Sequence, residues 1–177
     1  MDALLLIDLQ EDFFEPPGLA EARAGVVAET RRWVEHAHEI GASVLEVRTE
    51  VPEDDSTWAL NMRDDQQPVA LEGTAGARRV AELADLDVPT IVKRRDDAFL
   101  GTDLESWLHE LHAERLVVAG ISTEACVAVT AASAYARDFR VALAGGAVAS
   151  ADPQSHEQAL DWLATQYRQV VIPVPTG

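Results

Sequence analysis

Short apolar runs rich in branched residues recur along the chain at 3–8, 43–48, 90–93, 115–119, 140–144 and 168–172, each bounded by glycine, proline or polar residues. Runs of that length without strict alternation are what parallel strands buried on both faces require. Between them, apolar residues recur at three- and four-residue spacing over 19–40, 76–84, 103–112, 123–137 and 153–167, which predicts helices. Gly41 is placed to stop the first of these. Strand and helix patterns alternate along the whole length, so the fold class is α/β, with six parallel strands covered by helices on both faces.

One stretch breaks the alternation. Residues 49–73 hold four Asp, three Glu, Pro52 and Pro68 but no sustained periodicity, and read as a long loop. Loops of that length inside a compact domain are functional covers, oligomer contacts or plain solvated excursions. After 172, Pro173 and Pro175 end the last strand.

At 177 residues the chain is expected to form one domain, 1–177, large enough to bury a core without disulfide staples. Its 14 basic and 31 acidic side chains leave a formal charge of −17, which repels phosphate backbones and anionic lipid surfaces. Nucleic acid and membrane are therefore not expected partners. No apolar run approaches a membrane span, and Met1-Asp2-Ala3 leads into the first strand without a basic leader. The only cysteine, Cys126, cannot form an internal disulfide, which fits a reducing compartment, and cytoplasm is the expected location.

Buried parallel strands should be nearly all apolar, so polar residues at their carboxyl ends call for a reason. Asp8 follows Leu4-Leu5-Leu6-Ile7, Lys93 follows Thr90-Ile91-Val92, and Cys126 follows Val117-Val118-Ala119-Gly120 after a short turn. Ligand sites of open α/β sheets lie outside those ends, where residues distant in sequence meet. An acid, a base and a thiol gathered there would support nucleophilic catalysis. Asp8 would accept the thiol proton, Lys93 and a helix N-terminus near Cys126 would favour the thiolate, and backbone N–H groups would stabilise an oxyanion. Each residue also has a plain alternative: a small buried hydrophobe for Cys126, a turn cap for Asp8, a surface charge cluster for Lys93 with Arg94-Arg95 and Asp96-Asp97.

These segments together resemble the isochorismatase-like cysteine hydrolases, whose members include nicotinamidases, N-carbamoylsarcosine amidohydrolases, ureidoacrylate and biuret hydrolases and isochorismatases. The resemblance runs nearly end to end. It rests on Leu6-Ile7-Asp8-Leu9-Gln10-Glu11-Asp12-Phe13, Glu72-Gly73-Thr74-Ala75-Gly76, the stretch from Lys93 to Leu104, Gly120-Ile121-Ser122-Thr123-Glu124-Ala125-Cys126-Val127 with Thr130, and Gly146-Ala147-Val148-Ala149-Ser150. It implies a Rossmann-like three-layer α/β/α sandwich with strand order 3-2-1-4-5-6, and a catalytic triad of Asp8, Lys93 and Cys126. It further implies a cis peptide joining Ile121 and Ser122, oxyanion donors on the backbone of Ser122 and Cys126, and pocket walls at Phe13 and Phe99. The implied reaction is hydrolysis of a small amide or carbamoyl C–N bond through a thioester, in a homo-oligomer. Trp58, Trp107 and Trp162 are candidates for its apolar contacts or for core packing.

Two departures narrow the resemblance. Nicotinamidases of this family carry an Asp and histidines after the second strand that bind a divalent metal, whereas His36, His38, His109, His112 and His156 all fall on predicted helices. No metal and no cofactor are expected. Gly146 stands where relatives commonly have an acidic residue. Isochorismatases proper often lack the cysteine, so Cys126 favours amide or carbamoyl substrates; an isochorismatase-type hydrolase of another small molecule and a silent oligomeric scaffold remain the alternatives.

Overall fold

The computed structural model describes residues 1–175. Six strands, β1 (Ala3–Ile7), β2 (Ser43–Thr49), β3 (Thr90–Lys93), β4 (Arg115–Ile121), β5 (Arg140–Ala149) and β6 (Val171–Ile172), form one all-parallel sheet in the order β3-β2-β1-β4-β5-β6. The helices are α1 (Pro17–Glu39), α2 (Leu60–Asp65), α3 (Leu104–Glu110), α4 (Ala128–Tyr135) and α5 (Pro153–Tyr167). Alternate residues of β1 feed two cores. Ala3, Leu5 and Ile7 join Leu104, Leu108, Ala131 and Leu163 on one face, while Leu4 and Leu6 join Leu19, Val26, Trp33 and Val34 of α1 on the other. A strand buried on both faces has no polar side to show, which is why β1 reads Ala-Leu-Leu-Leu-Ile.

The strand order places the switch point between β1 and β4, where successive connections leave in opposite directions and open a crevice. Ile7 pairs with Gly120 at that end. A Cβ on Gly120 would lie 2.0 Å from the Ile7 carbonyl oxygen, and its φ is +129°, so the two chains can come this close only at a glycine.

Several segments differ from the pattern-based expectation. The periodicity over 76–84 does not make a helix; only Ala81–Leu83 form a single 3-10 turn. Its backbone is drawn instead to the chain leaving β1, where Gln10 bridges Arg79, Glu11 N–H donates to Arg78, and Val80 N–H donates to Leu9. Gly76 also lies against the Asp12 carboxylate, leaving no room for a side chain. The helix expected over 123–137 is broken into a wide turn, Thr123–Val127, with Ala125 outside helical angles, followed by α4. β5 runs on to Ala149, because its register with β4 shifts between Val118 and Gly120. The last strand shrinks to Val171–Ile172, since Arg168 caps α5 in the left-handed region and the Gln169 amide donates to Ala131 O. Residues 49–73 are not a featureless loop. They contain α2, a bridge between Val51 and Leu71, and Trp58, which is buried with its indole N–H donating to Pro52 O.

Candidate active site

Asp8, Lys93 and Cys126 meet at the carboxyl ends of β1, β3 and β4, with exposures of 0%, 1% and 7%. Asp8 leaves β1 at φ +51°, a region Asp tolerates better than most residues, and its N–H still pairs with Val47 O. The chain turns there, and the carboxylate stays under the strand ends.

Lys93 stands on the edge strand β3, two strands from β1. Its long side chain spans β2, and the residue beneath it is Thr49, its register partner. Lys93 Nζ lies 2.8 Å from Asp8 Oδ2 and donates to Thr49 Oγ1 at 2.8 Å and to Cys126 Sγ at 3.2 Å. Thr49 in turn donates to Asp8 Oδ1 from its hydroxyl at 2.9 Å and from its backbone N–H at 2.9 Å. Asp8 Oδ2 takes only the Lys93 ammonium, at 2.8 Å, while Oδ1 takes both Thr49 bonds, so Oδ2 has acceptor capacity left.

A further ring of polar groups holds the set in place. Gln10, fully buried, donates to Thr49 O at 2.7 Å and Ala77 O at 2.6 Å, and accepts from Thr49 N–H at 2.8 Å. Thr130 Oγ1 accepts from Ala98 N–H at 3.1 Å and donates to Asp96 O at 3.2 Å, tying the segment after β3 to α4. Asp96 is exposed and brings a carboxylate oxygen to 3.6 Å from Cys126 Sγ. Thr49 and Gln10 went unassigned in the sequence, yet the rule that picked out Asp8 and Lys93 applies to Thr49, a polar residue at the end of β2.

Burial pushes the Cys126 thiol well above its ordinary range; Asp8 adds to the rise, and Lys93 opposes it without overcoming it. Lys93 thus favours the thiolate as expected, but burial and Asp8 together act more strongly the other way, which favours the protonated sulfur at rest. Burial disfavours the Lys93 cation, but attraction to Asp8 and to Cys126 outweighs this and raises its pKa, so the ammonium stays charged.

The peptide between Ile121 and Ser122 is cis. The Ser122 carbonyl accepts from Ala125 and Val127 N–H, which curls 122–127 around Cys126, and Thr123 Oγ1 shares a 2.8 Å hydrogen bond with His156 Nδ1. A model of the isochorismatase domain matches residues 2–174. The chain belongs to the isochorismatase family.

Among its relatives, the protein named probable inactive nicotinamidase of Arabidopsis thaliana is 33% identical over 163 residues, covering 87% of this chain and 83% of that protein. The crystal structure of an isochorismatase family protein from Desulfovibrio vulgaris superposes with a TM-score of 0.87 at 28% identity, over 97% of this chain and 93% of the other. A nicotinamidase from Bacillus subtilis superposes with a TM-score of 0.78 at 27% identity, over 96% and 97%.

Among the described residues no three His, Cys, Asp or Glu side chains gather to hold an ion. The acids following β2 are engaged locally, Glu50 with Arg48 and Asp54 with Ser56, and His109 stacks on Phe139 at 5.8 Å. Phe99 is buried, stacks on Phe139 at 6.1 Å and lies under the Arg137 guanidinium. Phe13 is half-buried on the turn Asp12–Phe14 that follows β1. Of the tryptophans named from sequence, Trp58 is buried, Trp107 packs against the core and Trp162 is 44% exposed. No helix of the described residues is long and apolar enough to cross a membrane.

Proposed function

We propose that this isochorismatase-family protein is a cysteine-dependent hydrolase of a small amide or carbamoyl C–N bond. The observation that carries the reading is one buried ammonium, Lys93, lying 2.8 Å from Asp8 and 3.2 Å from the only thiol of the chain. Asp8 Oδ2, the oxygen with an unused acceptor, takes the thiol proton as Sγ adds to the substrate carbonyl carbon. Because the resting thiol is neutral, the attack needs this base at the moment of bond formation rather than a standing thiolate. Lys93 offsets the negative charge of the pair throughout. Backbone N–H groups of Ser122 and Cys126 face the oxyanion, the C–N bond breaks, and Asp8 returns the proton to the departing amine or ammonia. Water, deprotonated by Asp8, then cleaves the thioester and restores the thiol. Phe13 and Phe99 wall the pocket in this proposal, no metal or cofactor takes part, and the protein works in the cytoplasm as a homo-oligomer. Exposed Tyr135, Trp162, Val170 and Val171 offer apolar contact for a second copy, which sedimentation velocity would detect.

The test is ammonia release from nicotinamide, N-carbamoylsarcosine, biuret, ureidoacrylate and simple primary amides, run beside Cys126→Ser. Turnover in the native protein that vanishes in the variant is the expected result. Native-like turnover in Cys126→Ser would overturn the mechanism. Silence together with an unreactive thiol would favour a scaffold, for which the 7% exposure of Cys126 is the supporting observation.

A further inference from the structure

Asp96 has no part in the chemistry above, yet it puts a carboxylate oxygen 3.6 Å from the reacting sulfur. Its placement is built. Thr130 holds its backbone carbonyl, and the neighbouring Asp97 is fixed by Ser133 Oγ at 2.8 Å and by Phe99 N–H at 2.8 Å. The adjacent arginines do not neutralise it. Arg94 donates to Glu50 O and Thr57 Oγ1, Arg95 donates to Thr57 O, and among the described residues neither forms an ion pair with Asp96. Lys93 is occupied with Asp8, Thr49 and Cys126 beneath the surface. The exposed side of the thiol is thus bordered by an uncompensated negative charge, in a protein whose net charge is already −17.

A charge 3.6 Å from a reacting atom discriminates between substrates by sign, most strongly at low ionic strength because Asp96 is itself exposed. Resting on the hydrolase reading, we infer that Asp96 is a specificity-determining residue that selects amides bearing a positive charge, such as an ammonium, next to the scissile carbonyl. It disfavours those bearing a carboxylate there. The same repulsion acts on the carboxylate product that hydrolysis of an amide generates, which favours its release.

Because Cys126 is the only cysteine, its modification reports the local field without any need for turnover. Methanethiosulfonates carrying a trimethylammonioethyl or a sulfonatoethyl group react alike: the thiolate attacks the sulfenyl sulfur, a disulfide forms and methanesulfinate leaves. The ratio of the cationic to the anionic rate cancels any change in thiol ionisation. The ratio is expected to fall about tenfold in Asp96→Asn and to stay unchanged in Asp161→Asn, an exposed neutralisation on α5. An unchanged ratio in Asp96→Asn, an equal fall in Asp161→Asn, or a native thiol that neither reagent reaches would overturn the inference. Thermal melts of both variants confirm folding. A second arm measures ammonia release from glycinamide, propionamide and malonamate. Turnover without a charge preference would reject Asp96 as the selector and keep the hydrolase. A charge-dependent labelling ratio with no amide turned over would keep Asp96 as the selector of charge and reject the amidase.

Discussion

Thr49→Val is the substitution that isolates the contribution of the polar ring from that of the charges. Valine matches threonine in shape and leaves Asp8, Lys93 and Cys126 in place, while removing a hydroxyl that donates to Asp8 Oδ1 and accepts from Lys93 Nζ. Hydrogen bonds to charged groups contribute about 1.5–3 kcal/mol each, and a buried donor left without its acceptor costs its desolvation. Both partners keep other contacts, Asp8 Oδ1 with Thr49 N–H and Lys93 with Asp8 and Cys126, so the loss falls near the lower end. The expected destabilisation is about 2–3 kcal/mol for the two bonds together. With a urea dependence of about 2–3 kcal/mol per M, the midpoint should drop by about 1 M. Equilibrium unfolding followed by tryptophan fluorescence reads this directly, because Trp33 and Trp58 are buried in the native state. Thr49→Ser keeps the hydroxyl and should recover most of the loss. A Thr49→Val midpoint indistinguishable from native would show that the hydroxyl does not hold the Asp8–Lys93 pair, and the geometry assigned to this site would fail with it.

Gly120→Ala puts a methyl 2.0 Å from Ile7 O at φ +129°, and should prevent soluble expression or lower Tm by 10 °C or more, roughly the effect of about 3–4 kcal/mol in a domain of this size; a native-like melt would refute the close approach. Arg79→Met leaves Glu46, 2% exposed and bonded bidentately at 2.6 and 2.8 Å, without its cation, and should cost about 3 kcal/mol near neutrality in urea unfolding. Burial works to raise the Glu46 pKa, but the hydrogen bonds from Arg79 and Thr90 outweigh it, so the folded value lies below the unfolded one. That stability is present above about pH 4.3 and is lost as pH falls through the folded value, so the gap between native and Arg79→Met should close in acid. Cys126 predicts the opposite limb: its folded pKa is raised, so above about pH 8.5 the unfolded chain releases a proton that the native state retains. Stability of the native protein should then fall with rising pH by up to about 1.4 kcal/mol per unit relative to Cys126→Ala, and parallel pH profiles of the two proteins would contradict it.

Asp8, Lys93 and Cys126 were legible because polar residues at or just past the ends of apolar parallel strands have few reasons to be there, and the ordered set of segments that carries the resemblance points to the same three. The central strands β1 and β4 were legible because burial on both faces leaves an unbroken apolar run, and the edge strands β3 and β6, where Val92 and Val171 are exposed, because short branched runs lie between turn residues. Segment 76–84 shows where such reading stops. Its spacing suits a helix, but Gln10, Asp12 and Leu9, far away in sequence, offer its backbone better partners, and no local pattern records that competition. Thr49 is intermediate: as a polar residue ending β2 it meets the strand-end rule, but threonine is ordinary in a strand, and the register that sets it opposite Lys93 and beside Asp8 gives it its role. The ionisation of Cys126 was likewise decided by tertiary structure. The sequence supplies a thiol and a lysine past two strand ends, but the balance between desolvation, Asp8 and Lys93 depends on depth and distance, and burial outweighs the lysine. The sequence by itself determined the α/β class, the strand ends and the residue types available for chemistry, because these follow from local hydrophobic pattern. Which of those side chains touch, which acid borders the sulfur and which protons stay on were settled only when β3, β2, β1 and β4 came together, since long-range packing alone sets those distances.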